Sequence, residues 1–351
     1  MCIIKNFKLG NRLIGEGQPT YIVAEVGSNF DGNFKQAKKI VSLAKNAGAD
    51  AIKFQSFLAD KIVSEQGFEN FQISFQSKWK KSVYKTYKDA EFPREWHQEI
   101  ADYCRKKQID FFSTPYDKEA VDLLDELEVP AFKVGSGDID FLSLIEYMAK
   151  KGKPMIIGTG ASTLGEIEAV VKLIRASGNE DIVLLQCVTN YPSPIEQANI
   201  RAMITLRKAF QTNVGYSDHS LGYLVALGAV ALGACFIEKH FTFDKTREGP
   251  DHPFAMDVSE FSEMVKNIRL MEKALGSFVK KPVEAETETT VIQRRCIYAI
   301  ENISKGAVIT GNMIALLRPN KGLSPKYADI IIGRTARKDI SKGTAITWDM
   351  V

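Results

Sequence analysis

The sequence predicts an α/β protein whose main domain is a (β/α)8 TIM barrel, and three observations support this fold. Short apolar runs rich in Val, Ile and Phe recur along the chain, amphipathic stretches separate them, and the runs number eight. Eight alternating strand and helix units are what a closed parallel barrel requires. The runs are YIVAEVG (21–27), AIKFQSF (51–57), DFFSTPY (110–116), AFKVGSG (131–137), PMIIGTG (154–160), DIVLLQCV (181–188), NVGYSDH (213–219) and CFIEKHFT (235–242).

The stretches between the runs have the periodicity of helices. After the first run, Ile40, Leu43, Ala44 and Ala47 recur at helical spacing, and Gly48 follows as a C-cap signal. The same holds for WHQEIADYCRKKQID, STLGEIEAVVKLIRASG and LGYLVALGAVALGA. A doubly wound open sheet is the alternative. It usually carries a GxGxxG phosphate-binding turn after its first strand, and AEVGSNFDG does not match that pattern.

Two regions depart from the regular spacing. Residues 58–93 form an aromatic and basic insertion, interpreted as a solvated excursion over one edge of the barrel, with a substrate lid as the alternative. After Gly276 a charged, Thr-rich stretch resembles a linker, and ISKGAVITGNM (303–313) is then echoed by ISKGTAITWDM (340–350). This repeat predicts a small pseudo-symmetric domain. The predicted boundaries are 1–280 for the barrel, 281–292 for the linker and 293–351 for the small domain.

Composition narrows the class of protein. The net charge of +3 gives no long-range field that favours nucleic acid or an anionic membrane. Five cysteines are scattered singly, a pattern typical of a reduced compartment, and we expect a cytoplasmic protein. The N-terminus has no apolar stretch typical of a signal peptide, and no apolar run is long enough to span a membrane.

Polar side chains concentrate where the predicted strands end, which is the end of a parallel barrel that carries the active site. They are Glu25, Lys53, Gln55, Ser113, Thr114, Lys133, Ser136, Asp138, Thr159, Thr189, Tyr191, Ser217, His219, Glu238 and His240. Lysines together with hydroxyls suit a small phosphorylated carboxylate, because lysine supplies a point charge and hydroxyls supply directed hydrogen bonds. Pairing of a lysine with Glu25 or Glu238 is the structural alternative.

Two of the four histidines, His219 and His240, end adjacent predicted strands. Imidazoles on neighbouring strands can share a divalent metal and leave coordination positions open for water and substrate. Because oxygen ligands would complete such a site, Mn²⁺ or Mg²⁺ is favoured over a closed zinc site. His97 lies in a predicted helix and is expected to be structural. His252 follows the eighth strand and is either a substrate contact or solvated.

Motifs in order along the chain carry a resemblance to a known family. EVGSNFDG, KFQSF, STPYD, KVGSGD, IIGTGAS, YPSP, GYSDHS, EKHFT and EGPDH, followed by RPNKG and the ISKG repeat, cover nearly the whole chain. Together they resemble the sialic acid synthase family, which includes N-acetylneuraminate, legionaminate and pseudaminate synthases.

The resemblance implies a barrel followed by an antifreeze-protein-like (SAF) domain, in a homodimer whose small domain covers the partner's barrel mouth. It implies condensation of phosphoenolpyruvate with an open-chain N-acetylmannosamine-type sugar, which gives a nine-carbon 2-keto acid and phosphate. It further implies a divalent cofactor, Mn²⁺ first and Mg²⁺ or Co²⁺ as alternatives, that polarises the sugar aldehyde.

The resemblance also assigns roles to matching positions. The metal ligands would be His219 and His240. Asp138 and Glu25 would be the catalytic carboxyl groups, with Asp138 moving a proton near the metal-bound water. Phosphoenolpyruvate would bind to Lys53, Thr114, Lys133, Ser136, Thr159, Thr189 and Ser217. The sugar would bind to Gln55, Tyr191, Asp251 and, from the partner subunit, Arg318, with Glu25 as a further contact.

The chain departs from the family pattern at three places. Phe30 stands where relatives commonly have His, so one sugar contact is expected to be lost. Gly158-Thr159-Gly160 stands in place of Ser-Thr-Gly, so Thr159 or a backbone amide would have to replace a hydroxyl near the phosphate. The apolar 253–256 segment, together with Phe30, favours a deoxygenated sugar such as the 6-deoxy precursor of legionaminate.

Two other functions compete with this interpretation. An eight-carbon octulosonate phosphate synthase would use the same barrel chemistry on a phosphosugar, for which extra basic residues at the barrel mouth are expected. A sugar- or ice-binding protein with an inactive barrel belongs to a different class. Retention of both lysines and both histidines at strand ends argues against it.

Overall fold

The computed structural model describes residues 4–69, 76 and 79–351. The chain divides into two compact units, Met1–Gly276 and Ser277–Val351. The division falls close to the predicted end of the barrel, while the exact domain boundaries stay predictions.

The first unit is built on eight parallel strands within the described residues, in the order β5-β4-β3-β10-β9-β8-β7-β6. The strands at the two ends of this order, β5 and β6, pack against each other and make the sheet a nearly closed barrel. The predicted barrel is therefore confirmed. Its strands are β3 (Tyr21–Glu25), β4 (Ala51–Ser56), β5 (Asp110–Pro115), β6 (Phe132–Val134), β7 (Met155–Gly158), β8 (Ile182–Cys187), β9 (Asn213–Asp218) and β10 (Phe236–His240).

Helices surround the sheet and occupy the segments between the strands where the sequence predicted them, and the described part of the 58–93 insertion contains three short helices, where none was predicted. The apolar face of the first helix carries Ile40, Val41 and Ala44, all buried against the sheet. The helices of this unit are α1 (Phe34–Asn46), α2 (Ala59–Ile62), α3 (Glu65–Phe68), α4 (Val83–Asp89), α5 (His97–Lys107), α6 (Lys118–Glu126), α7 (Leu142–Ala149), α8 (Leu164–Ala176), α9 (Ala202–Phe210), α10 (Leu224–Ala231) and α11 (Val258–Leu275).

An N-terminal hairpin, which the sequence did not reveal, belongs to the core inside the barrel. Strands β1 (Phe7–Leu9) and β2 (Arg12–Ile14) pair antiparallel, and their apolar side chains are buried with those of Tyr21, Phe112 and Phe236. Since these partners lie at or near the amino-terminal ends of the strands, the hairpin fills that end of the barrel. The opposite end is left for polar groups.

The strands end earlier than the apolar runs that predicted them. Ser136 and Asp138 belong to a short 3-10 turn after β6, and His219 lies just beyond β9. These side chains therefore sit on loops at the carboxyl ends of the strands, where parallel barrels place binding groups.

Much of the 58–93 insertion forms one wall of the main cavity. Ile62, Val63, Tyr87 and Ala90 from this insertion line the cavity. The interpretation as a solvated excursion was wrong for these residues, because an aromatic and aliphatic surface gains stability by covering the barrel mouth. Residues 70–75 and 77–78 of the insertion lie outside the described residues.

The second unit shows the pseudo-symmetry that the ISKG repeat predicted. Ile303 and Ile340, the first residues of the two repeats, exchange two backbone hydrogen bonds of 2.9 and 2.8 Å. The repeat glycines Gly306 and Gly343 have equivalent left-handed φ values of 88° and 83°. Elements of this unit are α12 (Thr287–Ile292), β11 (Cys296–Ala299), β12 (Ile314–Leu317) and α13 (Ala328–Ile331).

Within residues 4–69, 76 and 79–351, no helix combines the length and the apolar character needed to cross a bilayer.

Candidate active site

A buried cluster of charged groups forms the floor of the candidate site inside the carboxyl end of the barrel. Lys53 Nζ lies 2.7 Å from Glu25 Oε2 and 3.7 Å from Glu238 Oε1, and Lys133 Nζ lies 3.6 Å from the same Glu238 oxygen. Each of these four side chains is at most 6% exposed. The period-2 alternation of the strands turns all four inward, as the sequence predicted.

Neighbouring polar groups hold this cluster in place. Thr114 accepts a hydrogen bond of 3.2 Å from Lys53 Nζ, and Ser217 donates one of 3.1 Å to Glu238. Gln55 donates one of 2.7 Å to Glu25. Glu238 Oε2 is buried without a hydrogen-bond partner among the described atoms. An unpaired buried carboxylate oxygen is costly, so this atom marks a place where a ligand group would bind favourably.

The two carboxyl groups of the floor differ in their proton affinity. Burial raises the pKa of Glu25 above its usual value, although Lys53 opposes the shift. Burial also acts on Glu238, but Lys133 and Lys53 outweigh it and hold the pKa of Glu238 below its usual value. Glu238 therefore remains charged, while Glu25 is the group of this pair that takes up a proton more readily. Carboxyls whose pKa values are pushed apart in this way are typical of acid–base sites.

His219 and His240 face each other beside the floor, with ring centroids 5.5 Å apart. His219 Nδ1 lies 2.8 Å from the Val188 carbonyl oxygen, which can only accept, so Nδ1 carries the proton and Nε2 keeps its lone pair. His240 Nδ1 is buried and has no hydrogen-bond partner among the described atoms. Tyr191 packs over His219 at 4.3 Å, and Phe254 packs on His240 at 4.9 Å.

Both imidazoles are prepared to act as neutral ligands. Burial, and secondarily the neighbouring His240, lowers the pKa of His219 to about 4. Burial likewise lowers the pKa of His240. Neutral rings with lone pairs and a buried unpartnered nitrogen fit a divalent cation.

His219 and His240 are not part of a larger cluster of metal-binding side chains among the described residues. In the described part of the chain, three or more His, Cys, Asp or Glu side chains nowhere gather as a metal site. A cation here would therefore take its remaining ligands from water or substrate.

A cavity of about 450 Å³, a size within the range of small-molecule sites, lies next to the floor. Gln55, which bonds Glu25, and His240 line it, whereas the four floor side chains and His219 lie behind its lining. Several residues that the sequence singled out line it: Gln55, Ser136, Asp138, Thr189, Tyr191, His240 and Asp251. With Ser28 after β3 and Tyr116 after β5, the cavity lining comes from the carboxyl ends of six different strands and the loops that follow them.

The Gly158 departure has a geometric explanation. A Cβ atom at position 158 would lie 2.8 Å from Ser136 Oγ, so glycine gives this hydroxyl its space. Ser136 Oγ accepts a 3.0 Å hydrogen bond from the Gly160 amide and lies 3.1 Å from Cys187 Sγ. Thr159 does not replace the missing hydroxyl, because its Oγ1 donates to the Leu185 carbonyl at 2.9 Å within the barrel wall. The expected role of Thr159 is therefore unsupported.

Asp138 lines the cavity and is unusually ready to exchange a proton. Burial, assisted by the charge of Asp140 and opposed by Lys133, raises the pKa of Asp138 to about 6. A carboxyl group with a pKa near neutrality suits proton transfer at physiological pH. The Tyr116 hydroxyl lies on the same side, since both it and Asp138 Oδ2 approach the position of a Cβ on Gly135 to 3.6 Å.

Asp251 is held in the cavity wall by the loop that follows the first barrel strand. Its Oδ2 accepts hydrogen bonds from the Ser28 amide at 2.7 Å and the Ser28 hydroxyl at 2.8 Å. A Cβ on Gly27, where φ is 52°, would collide with this carboxylate. Glycine is therefore required at position 27 by both the conformation and the close approach.

Other predicted residues lie elsewhere. Phe30 is buried among Phe54, Phe92 and Trp96, so its presence removes nothing from the cavity surface and carries no information on the sugar. His97 is buried, bonded to Ser56 and structural, as predicted.

The two remaining predictions concern His252 and Arg318. His252 is fully buried, so both expectations for it, substrate contact and solvated side chain, were wrong. Arg318 is exposed in the second unit, and its role stays a prediction.

Several cavity residues escaped the sequence interpretation. Ser28 lies in the loop that begins after Glu25, and could have been found as a hydroxyl that follows a strand end. Tyr116 ends the STPY motif, and Tyr87 lies far from any strand, so no local signal marks its position. Tyr87 lines the same cavity as Asp251 and Asp138, and burial, followed by the charges of these two carboxylates, raises the pKa of Tyr87.

The fold and the site together define a class: a (β/α)8 barrel with a cationic and acidic floor and two neutral imidazoles at the carboxyl ends of its strands. Comparison with family models gives the more particular assignment. Residues 40–280 match the NeuB family and residues 294–351 match the SAF domain. The chain belongs to the NeuB family, the family of sialic acid synthases.

Similar proteins cover most or nearly all of the chain. An uncharacterized protein of Methanocaldococcus jannaschii is 44% identical, covering 99% of this chain and 98% of its own length. N,N'-diacetyllegionaminic acid synthase of Legionella pneumophila is 37% identical over 96% of each chain. A crystal structure of N-acetylneuraminic acid synthetase from Leptospira borgpetersenii, in complex with citrate, has a TM-score of 0.73 and 33% identity, covering 81% of this chain and 95% of that one.

Proposed function

We propose that this chain condenses phosphoenolpyruvate with the open-chain aldehyde of an N-acetylmannosamine-type sugar, giving a nine-carbon 2-keto acid and inorganic phosphate. The observation that carries the proposal is the floor, where Lys53 and Lys133 share Glu238 on the strand that ends in His240, and His240 lines the cavity of about 450 Å³. The names of the Legionella and Leptospira relatives support the same reaction class.

The chemistry needs a cationic cradle next to an electrophile-stabilising group. Carbon 3 of phosphoenolpyruvate forms a bond to the aldehyde carbon, water adds at carbon 2, and the bond from carbon 2 to the phosphate oxygen breaks. His219 and His240 would hold a divalent metal, with Mn²⁺ as the first candidate. When bound, this metal would supply Lewis-acid polarisation of the aldehyde oxygen. Preorganised charges aimed at the reacting atoms are the main source of rate enhancement in such sites.

The protein's own residues divide into two groups around this reaction. Phosphoenolpyruvate would bind to Lys53, Thr114, Lys133, Ser136, Thr189 and Ser217. Because the charges of two lysines and two glutamates on the floor cancel, binding of this anion is favoured by a proton on Glu25 or by the metal charge. Gln55, Tyr191, Asp251 and Ser28 would orient the sugar.

Release of phosphate from phosphoenolpyruvate tests the proposal directly. We expect release only when both Mn²⁺ and an N-acetylated mannose-type sugar are present, because the sugar carbonyl is the second reactant. The measurement is a phosphate assay with each component omitted in turn, and with the metal removed by a chelator. Absence of phosphate release with every N-acetylated mannose-type sugar would reject the proposed reaction.

The cavity wall favours a particular kind of sugar. Phe57, Ile62 and Val63 form an apolar surface that lies beyond the strand ends, while Asp138 and Asp251 add negative charge. Carboxylates repel a phosphate group, and an apolar wall favours methyl and acetamido substituents over hydroxyls. We therefore propose a 2,4-diacetamido-6-deoxy sugar, as in legionaminate synthesis, as the second candidate substrate. Pseudaminate synthesis ranks behind it, and a phosphosugar is disfavoured.

Asp138 predicts the pH dependence of the reaction. If Asp138 accepts a proton from the attacking water, only its ionised form works, and the ionised fraction falls as pH drops through about 6. We expect kcat/KM, which reports the pKa values of the free enzyme, to decline on the acid side with a midpoint near that value, and Asp138→Asn to abolish this limb together with most of the activity. A limb that persists unchanged in Asp138→Asn would assign it to substrate or to another group.

The quaternary arrangement also belongs to the proposal. We propose a homodimer in which Arg318 of one subunit completes the partner's sugar site. The residue is exposed at the end of β12 and so is accessible to a second chain. No nucleic acid or membrane partner is proposed.

A further inference from the structure

His252 lies at the centre of a buried link between the two loops that form the proposed sugar site. The first loop follows β3 and contains Ser28 and Asp31, and the second follows β10 and contains Asp251. His252 is fully buried, and each of its ring nitrogens has a partner. Nε2 lies 2.8 Å from Asp31 Oδ1, and Nδ1 lies 2.7 Å from Thr242 Oγ1.

The partners determine how the ring is oriented. Burial raises the pKa of Asp31, but hydrogen bonds from His252 and Gln36 outweigh it and hold the pKa below its usual value. An ionised carboxylate only accepts hydrogen bonds, so Nε2 of His252 donates to Asp31. The Thr242 hydroxyl at Nδ1 can either donate to this nitrogen or accept from it, so it holds the ring on that side as well. A ring held at both nitrogens has one orientation, which is the arrangement that positions a neighbouring group well.

The backbone of the second loop packs closely around the His252 ring. A Cβ on Gly249 would lie 2.9 Å from His252 Cδ2, so the loop packs directly on the ring. The adjacent residue, Asp251, accepts both hydrogen bonds from Ser28 described above. The two loops are therefore joined through Asp251 and Ser28 and, a few residues away, through His252 and Asp31. The exposed Arg247 also bonds Asp31, and Asn29 donates to the Phe241 carbonyl at 3.0 Å. Only the first of these links lies on the cavity surface.

We propose that His252 is a positioning residue that, through Asp31, fixes Asp251 and Ser28 in the geometry that recognises the sugar. This inference rests on the proposed function, because it assigns a task to a group behind the same site. The role proposed for His252 differs from that of the floor residues, which would bind phosphoenolpyruvate. Loss of the link should weaken sugar recognition and leave the binding of phosphoenolpyruvate unchanged.

The chain offers matched variants at Asp31, whose φ is 51°. Glycine and asparagine both tolerate this left-handed conformation, so neither introduces backbone strain. Asp31→Asn keeps an oxygen that accepts from His252, whereas Asp31→Gly removes it. His252→Gln keeps a donor for Asp31, whereas His252→Leu removes it. Arg247 also bonds Asp31, at 2.7 Å but on the exposed side, so Arg247→Gln is the control.

The test compares steady-state constants for these variants. In Asp31→Gly and His252→Leu we expect the sugar KM to rise about 5- to 100-fold, as when a buried polar group loses its partner. The KM for phosphoenolpyruvate should stay within about twofold of the parent, and Asp31→Asn, His252→Gln and the control Arg247→Gln should retain most of the parent's sugar affinity. An equal rise in both KM values, or no rise in either, overturns the proposal.

A readout independent of turnover separates this inference from the proposed function. The Ser28 amide donates to Asp251, so its hydrogen exchange reports whether the two loops remain joined. In the absence of any substrate, we expect the peptide containing Ser28 to exchange faster in Asp31→Gly and His252→Leu, and unchanged in Arg247→Gln. Faster exchange in these variants, together with no synthase activity in the parent, would reject the proposed reaction but support the His252–Asp31 link. Unchanged exchange would reject the link even if the reaction is found.

Discussion

Replacement of His240 by alanine is expected to lower metal-dependent phosphate release about 1,000-fold or more while the chain remains folded. Lewis-acid stabilisation contributes several kcal/mol, and each 1.4 kcal/mol or so is a factor of ten in rate. The Nδ1 atom of His240 has no hydrogen-bond partner among the described atoms. Removing the ring therefore takes no hydrogen bond at Nδ1 away from another protein group. Phosphate release and calorimetric Mn²⁺ titration measure the effect, and thermal unfolding checks the fold.

His97 provides the control for this prediction, because it is equally buried but lies on α5 and bonds Ser56 at 2.5 Å. His97→Gln should lower stability and leave Mn²⁺ affinity unchanged. His219→Ala should behave like His240→Ala. If His240→Ala keeps its Mn²⁺ affinity and turnover, His240 does not belong to the metal site.

Replacement of Lys239 by methionine is expected to lower the free energy of unfolding by about 3–5 kcal/mol, the usual effect of leaving a buried charge unpaired. Lys239 points away from the barrel interior and is 1% exposed. Its Nζ lies 2.9 Å from Asp218 Oδ2 and also donates to the Ser220 carbonyl. Denaturant unfolding followed by tryptophan fluorescence measures the loss.

The double variant Asp218→Asn/Lys239→Met tests the reason for that loss. With both charges gone, no ion is left unpaired, and we expect most of the lost stability to return. Asp218 Oδ1 also accepts from the Ser220 amide at 2.9 Å and hydroxyl at 2.6 Å, so some loss should remain. A double variant as unstable as the sum of the two single variants would show that the ion pair contributes little.

Much of the barrel was predictable because local patterns dictate it. The eight apolar runs correspond to eight strands, and their inward alternation places Lys53, Lys133 and Glu238 on one floor. The opposite orientation of Lys239, between strand and helix, follows from the same alternation. The pairing of the ISKG repeats was also foreseeable, since duplicated segments form related turns.

Other features depended on distances along the chain that no local pattern encodes. Phe30 seemed to alter the sugar site, yet its ring packs with Phe54 and Phe92 in the core. Thr159 seemed to face the phosphate, yet it bonds a carbonyl in the barrel wall. Tyr87 joins the cavity from an insertion whose composition resembles a solvated loop.

The sequence by itself determined the barrel, its polar end and the pair of histidines, because strand alternation and the order of motifs are local properties of the chain. Only the tertiary structure decided which hydroxyls reach the cavity, that the insertion forms its apolar wall, and that His252 is bonded on both sides behind Asp251. Those outcomes depend on which loops pack together, and packing is fixed by the mutual burial of residues distant in sequence.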